Sequence, residues 1–134
     1  MIASETNEIA RYAGHWECVL LFANGEWHTA ESLGYQTNYM DLYGDGHVVD
    51  SRIPGVAGIH GCSVHGNDGL VSAPDSLGEE YDQILEFEGD EMRVHFRDVY
   101  AKNFFVYRRI GEAPVLEKHP DLTDLSRMIY FGQY

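Results

Sequence analysis

The stretch from Gln83 to Phe96, QILEFEGDEMRVHF, carries the clearest structural signal in the chain. Its centre, Glu88-Gly89-Asp90, is a turn sequence, because Gly and Asp readily adopt the backbone angles of tight turns. After this turn, Met92, Val94 and Phe96 alternate with polar residues, so one face of the strand is apolar and the other is polar. The stretch therefore predicts a β-hairpin with one buried face.

The same alternation of strands and turns runs along most of the chain. Asn24-Gly25 is the strongest short hairpin signal, because both residues tolerate the positive φ of a two-residue turn. The predicted strands are 15–22, 27–33, 35–43, 47–53, 57–65, 70–73, 80–87, 91–97 and 102–110. In the first, the even-numbered residues from 16 to 22 are predicted to share one face. About eight strands, at spacings of roughly ten residues, predict an all-β barrel or sandwich.

Helical segments flank the predicted barrel, which spans about residues 14–111. Residues 4–13 predict a short N-terminal helix, since an acidic first turn follows a Ser or Thr cap. In the tail 112–134, Pro120 at a first helical position predicts a helix from Asp121 to about Tyr130. The apolar residues of this second helix are spaced to pack on the outside of the barrel wall.

Length, cysteine content and the N-terminus bear on domain number and compartment. With 134 residues, the chain is predicted to be one domain, 1–134. It has no apolar run of the ~20 residues that span a bilayer, and its N-terminus lacks the basic and apolar regions of a secretory signal. Cys18 and Cys62 are too few for a disulfide framework and are expected to be reduced. We therefore expect a cytoplasmic protein.

The charge of the chain is strongly acidic and unevenly distributed. The net charge is −13, and residues 12–92 hold fifteen acidic residues against a single basic one, Arg52. Because nucleic acids and anionic membranes are bound mainly through Lys and Arg, this charge argues against both as partners. A basic protein partner is compatible with it, and a homodimer is left open.

Three sequence features resemble the calycins, the superfamily of lipocalin-like β-barrels. Gly14-His15-Trp16 is similar to the G-x-W motif at the start of the family's first strand, residues 84–94 resemble the late hairpin of bacterial lipocalin-like domains, and Phe104–Arg109 resembles their final strand. The resemblance implies an antiparallel barrel of about eight strands; because barrels of this kind host transport, catalysis and inhibition, it does not decide the function. It also implies that Trp16 packs under a basic residue of the last strand, here Arg108 or Arg109, and so closes one end of the barrel.

The stretch GIHGCSVHG, residues 58–66, concentrates residue types that metal sites and nucleophilic sites use. On a strand, His60 and Cys62 point to one face and His65 to the other, so the three cannot bind one metal ion without a bulge. Candidate zinc ligands on other strands are His47, Asp50 and His95. A thiol nucleophile would need a nearby base and a lowered pKa at Cys62. The simpler interpretation is a curved strand with a small buried cysteine, and neither a metal nor another cofactor is predicted.

Two further clusters leave alternatives open. Tyr35, Thr37, Tyr39 and Asp41 alternate along one predicted strand. Facing inward they would give an amphipathic interior that suits a ligand with aromatic and hydroxyl groups; facing outward, the tyrosines would pack against the tail helix. The acidic cluster at 79–82 could supply a general base at the barrel mouth, or it could be a solvated rim.

The leading hypothesis is a barrel that binds a small, partly apolar organic molecule in its interior. The predicted ligand-binding residues are Trp16, Trp27, Tyr35, Tyr39, His60 and Phe96. A second hypothesis is an enzyme on the same barrel, an isomerase, cyclase or lyase, with acid–base candidates His60, Tyr81 and Asp82. A third is an acidic inhibitor or immunity-type protein that binds a basic partner.

Overall fold

The computed structural model of the protein describes residues 8–53, 56–64, 66, 69–72, 83–96, 103–122 and 129–130; at 52, 53, 56, 72, 96, 129 and 130 it describes the backbone alone. Within these residues the strands are β1 (Gly14–Ala23), β2 (Glu26–Thr29), β3 (Tyr39–Leu42), β4 (His47–Ile53), β5 (Val56–Val64), β6 (Gly69–Ser72), β7 (Gln83–Glu88), β8 (Glu91–Phe96), β9 (Phe104–Gly111) and β10 (Ile129–Tyr130). A short helix, α1 (Ala30–Leu33), follows β2, and the tail contains two 3-10 turns, Leu116–Lys118 and Pro120–Leu122.

Eight of these strands close into an antiparallel barrel. Their order around the barrel is β5-β4-β3-β1-β9-β8-β7-β6, and β6 pairs back with β5 to complete the ring. Outside the ring, β2 pairs with the second half of β1, and β10 pairs in parallel with β5. The prediction of an all-β antiparallel barrel of about eight strands is thereby confirmed. In the described part of the chain, no helix is long and apolar enough to cross a membrane.

The barrel core is built from alternate residues of its strands. The hairpin predicted from QILEFEGDEMRVHF forms β7 and β8, and it places Leu85 opposite Val94, both fully buried. The main buried cluster comprises Ile9, Tyr12, Trp16, Cys18, Ala30, Met40, Leu42, Val48, Leu70, Leu85, Phe87, Met92, Val94 and Tyr107. This cluster defines the inward face of each strand and so fixes which polar residues point into the barrel.

A β-bulge in β1 changes which of its residues face inward. The register against β9 shifts by one residue after Cys18, so the alternation of side chains is reversed beyond that point. Phe22 lies opposite both Phe104 and Trp27, and the three rings contact one another. Phe105, on the other face of β9, packs against the core. The prediction that the even-numbered residues from 16 to 22 share one face is therefore wrong beyond the bulge.

The N-terminal helix is seen at residues 8–10, and residues 1–7 lie outside the described part of the chain. The tail packs on the outside of the barrel, as predicted, with Leu116 and Leu122 against the outer face of β4 and β5. The prediction of a helix from Asp121 to Tyr130 is wrong at both ends of that segment. Asp121 and Leu122 belong to a 3-10 turn, Ile129 and Tyr130 form strand β10, and residues 123–128 are not described.

The strand β10 forms because part of β5 has a free edge to which it can hydrogen-bond. The strand β6 pairs only with Cys62–Val64 of β5, which leaves the earlier half of β5 with unpaired backbone groups on that side. Ile129 and Tyr130 pair with Gly58 and Ile59 and cover this edge.

Candidate functional site

One end of the barrel is closed by an arginine on a tryptophan. The guanidinium carbon of Arg109 lies 4.9 Å from the centre of the Trp16 ring, and Arg109 also donates to the carbonyl oxygen of Arg11 at 3.0 Å. Arg108 is exposed on the outer face, where it pairs with Glu91 at 3.6 Å. Of the two arginines that the resemblance proposed for this role, the structure places Arg109 on Trp16.

This closure explains the glycine of the Gly14-His15-Trp16 motif. Gly14 has a φ of +150°, and a Cβ atom at this position would lie 2.7 Å from Cδ of Arg109 and 2.9 Å from the carbonyl oxygen of Gly111. A larger residue would therefore displace the arginine that covers Trp16.

A layer of polar side chains points into the barrel. It consists of Asn38, Asp50, His60 and Gln83, all at most 7% exposed, and we call it the interior polar layer. Gln83 Nε2 donates to Asp50 Oδ2 at 3.3 Å. Because β4 and β7 are separated by two strands in the ring, this hydrogen bond crosses the interior, and both side chains point inward.

The amide of Gln83 has an unsatisfied oxygen. The contact with Asp50 Oδ2 places Nε2 on that side and turns Oε1 away from it. Gln83 Oε1 is buried and accepts no hydrogen bond from any residue that the structure describes. Asn38 Oδ1, which is also buried, likewise lacks a described partner. Such groups are rare in folded proteins and call for an explanation.

The stretch 58–66 supplies two residues of the interior. His60 is 1% exposed, and Cys62 packs against the core on the same face of β5. Burial and the nearby Asp45 raise the pKa of the Cys62 thiol to about 12, which opposes its use as a thiolate nucleophile. His65 lies outside the described residues. Among the residues that are described, no group of three or more His, Cys, Asp or Glu side chains could hold a metal ion.

The six predicted ligand-binding residues divide into four groups. Trp16 and His60 lie in the interior. Tyr35 is 36% exposed, and its ring contacts that of Phe105. The side chain of Phe96, and the catalytic candidates Tyr81 and Asp82, are outside what the structure describes.

Trp27 and Tyr39 face outward, which corrects the prediction that they line the interior. Trp27 is 53% exposed on β2, because the bulge in β1 turns its partner Phe22 to the outside. Tyr39 packs against the tail, and its hydroxyl donates to Asp121 Oδ2. Of the two alternatives for the tyrosines of this strand, Tyr39 follows the outward one and packs against the tail.

A second polar cluster, missed at the level of sequence, lies under the tail. We call it the outer network: His15, Tyr39, Asp41, His119 and Asp121. Asp41 is 1% exposed; its Oδ1 lies 2.5 Å from His15 Nδ1, and its Oδ2 lies 2.6 Å from His119 Nε2. The backbone N–H of Asp121 donates to His119 Nδ1 at 3.1 Å, so Nε2 of His119 carries the proton donated to Asp41. In the sequence, the one indication of this cluster was the alternative in which the strand that carries Tyr39 and Asp41 turns these side chains outward.

The environment of His15 favours its charged form. Burial disfavours the charge, but hydrogen bonds to Asp41 and Glu17 outweigh it and raise the pKa of His15. The second bond joins Nε2 to Glu17 Oε2 at 3.0 Å, so both ring nitrogens face carboxylates. Burial, together with the hydrogen bond to Asp121, raises the pKa of Tyr39 as well. His15 therefore links two carboxylates and is not a free base, because neither ring nitrogen is available to a substrate.

Comparison of the chain with protein-family models, curated proteins and solved structures gives no match. The fold and the interior alone define its class: a closed, eight-stranded antiparallel β-barrel with a buried polar layer, compatible with a lipocalin-like fold.

Proposed function

We propose that the protein binds a small, partly apolar organic molecule inside its barrel. The observation that carries the proposal is Gln83 Oε1, a buried acceptor inside the barrel with no partner among the described residues. Binding sites for small molecules are mostly apolar and contain a few polar groups that orient the ligand. The interior polar layer, set among core residues such as Leu85 and Val94, has this composition.

The energetics support the same conclusion. A buried carbonyl without a hydrogen bond costs about 1–3 kcal/mol, which is a large share of the stability of a small domain. A bound molecule that donates to Gln83 removes this cost. The resemblance to lipocalin-like barrels, drawn from Gly14-His15-Trp16 and the last strands, supports binding in the interior as well.

Native mass spectrometry of the protein purified gently from its own source tests the proposal. We expect an added mass of a few hundred daltons that is lost on denaturation. The matched variants are Cys62→Phe, which places a ring in the interior, and Ser63→Phe, which places the same ring on the exposed outer face of β5. The adduct should be absent from the first and kept in the second. An adduct that survives Cys62→Phe, or a bare wild-type mass, contradicts binding in the barrel.

A second candidate function, binding of a basic protein partner, is favoured by the surface around α1. Trp27, Leu33 and Tyr35 are exposed large apolar side chains within nine residues of chain, and Glu26 and Glu31 lie beside them with no Lys or Arg between residues 12 and 51. A partner with basic and apolar side chains would match this surface. Its complex in the same spectra should be lost in Trp27→Ala and kept in Cys62→Phe; the reverse pattern contradicts this candidate.

A further inference from the structure

We infer that the molecule bound in the barrel presents a hydrogen-bond donor, an N–H or O–H group on an apolar body, to Gln83 Oε1. This inference rests on the proposed function and adds the chemical class of the ligand. It follows from the orientation of one amide group, which the structure fixes, and from the residues that surround it.

The orientation of Gln83 decides whether its free atom is an acceptor or a donor. A glutamine amide can be turned so that either its oxygen or its nitrogen faces a given site. Here the nitrogen lies 3.3 Å from Asp50 Oδ2, and turning the amide over would bring two acceptor oxygens together. The atom left over for a ligand is therefore the oxygen, which requires a donor.

The immediate surroundings define the rest of the ligand. Leu85 lies two residues further along β7 on the same inward face, and it is flanked by Leu70 and Val94 on the neighbouring strands. All three are buried and apolar. A molecule whose donor meets Gln83 Oε1 would place its remaining atoms against this apolar wall. A ligand whose polar end only accepts hydrogen bonds would leave Gln83 Oε1 unsatisfied and bind less tightly.

Paired probes that differ only in the donor test this inference. We would titrate the full-length protein with 2-naphthol and 2-methoxynaphthalene, and with indole and 1-methylindole, by isothermal titration calorimetry. In each pair, methylation removes the O–H or N–H and keeps the aromatic body. The parent compound should bind about tenfold more tightly than its methylated form, which corresponds to about 1.4 kcal/mol.

Variants at two glutamines locate the effect. Gln83→Met keeps the size of the side chain and removes the acceptor, so the preference for the donor compounds should disappear. Gln36→Met makes the same change at an exposed glutamine and should leave the preference unchanged. The native mass spectrum of Gln83→Met, taken alongside, shows whether the variant is folded.

The outcomes separate this inference from the proposed function. If the methylated probes bind the wild type as tightly as their parents, binding in the barrel stands and the donor requirement is overturned. A donor preference that persists in folded Gln83→Met overturns the assignment to Gln83. If no probe of either pair binds, the proposed function and the inference fail together. If the preference for the donor compounds is lost in Gln83→Met and kept in the wild type and in Gln36→Met, the result supports both the proposed function and the inference.

Discussion

Two polar clusters among the described residues, the outer network and the interior polar layer, lie on opposite faces of the barrel wall and differ in how far their hydrogen bonds are satisfied. Asp41 in the outer network and Asp50 in the interior polar layer occupy adjacent strands, and Asp50 lies opposite Met40, the residue before Asp41. In the outer network, both oxygens of Asp41 have a histidine nitrogen within hydrogen-bond distance. In the interior, Gln83 Oε1 has no described partner.

This difference separates a structural role from the binding role that we propose. A polar cluster whose members satisfy one another holds segments of the chain together, and here it joins β1, β3 and the tail. A cluster that leaves buried acceptors unsatisfied, here Gln83 Oε1 and Asn38 Oδ1, fits the proposed binding of a group from outside the chain. Substitutions in the outer network should therefore change stability, whereas substitutions at Gln83 should change binding.

The largest effect is expected from Asp41→Ala. The variant leaves two histidine nitrogens without the carboxylate that they contact under the tail, and because each hydrogen bond to a charged group contributes about 1.5–3 kcal/mol, the expected loss is about 3 kcal/mol or more. Urea unfolding followed by circular dichroism measures the loss. Asp45→Ala is the control, because its carboxylate is mostly exposed and should contribute about 1 kcal/mol or less. Equal losses in the two variants would show that the outer network is not a structural link.

A smaller effect is expected from Tyr39→Phe. This change removes only the hydroxyl that donates to Asp121, and hydrogen bonds to charged groups contribute about 1.5–3 kcal/mol; partial exposure of Asp121 places the expected loss near the lower value. Backbone amides of the tail between Leu116 and Leu122 should exchange faster with deuterium in the variant. Tyr35→Phe is the control, with an expected change within about 0.5 kcal/mol. Unchanged exchange in the tail would contradict the inference that the hydrogen bond from Tyr39 to Asp121 holds the tail on the barrel.

The barrel was predictable from sequence because its evidence is local. Alternation in QILEFEGDEMRVHF and the turn at Gly89 define a hairpin without knowledge of any distant residue. The bulge after Cys18 was not predictable, because one extra residue in β1 becomes visible only when its pairing with β9 is known. The inward position predicted for Trp27 is wrong because this bulge turns its partner Phe22 outward.

The two polar clusters were predictable only in part. His60 and Cys62 were correctly placed on one face by strand alternation, but the contact between Asp50 and Gln83 joins strands that are not neighbours in the barrel. The outer network joins His15 to His119, more than a hundred positions apart in the chain. Periodicity along single strands contains no information about either contact, so the distinction between a satisfied and an unsatisfied cluster needs the structure.

The smallest expected effect is the contribution of His15 in the outer network to the pH dependence of the free energy of unfolding. Because the pKa of His15 is higher in the folded protein than its ordinary value of 6.5, the imidazole binds a proton more tightly in the folded state than in the unfolded state. The stabilisation from His15 is therefore complete below that value and is lost as the pH rises through the folded pKa.

Urea unfolding of the wild type and of His15→Gln at about pH 6 and about pH 8.5 measures this effect. The wild type should exceed the variant by more at the lower pH, where the imidazolium lies between Asp41 and Glu17. His28→Gln serves as the control, since its ring lies 3.9 Å from an exposed glutamate, and its difference from the wild type should vary less with pH. A His15 difference that grows as the pH rises would mean that the ring acts as a neutral group, and would contradict stabilisation of the outer network by the charged form of His15.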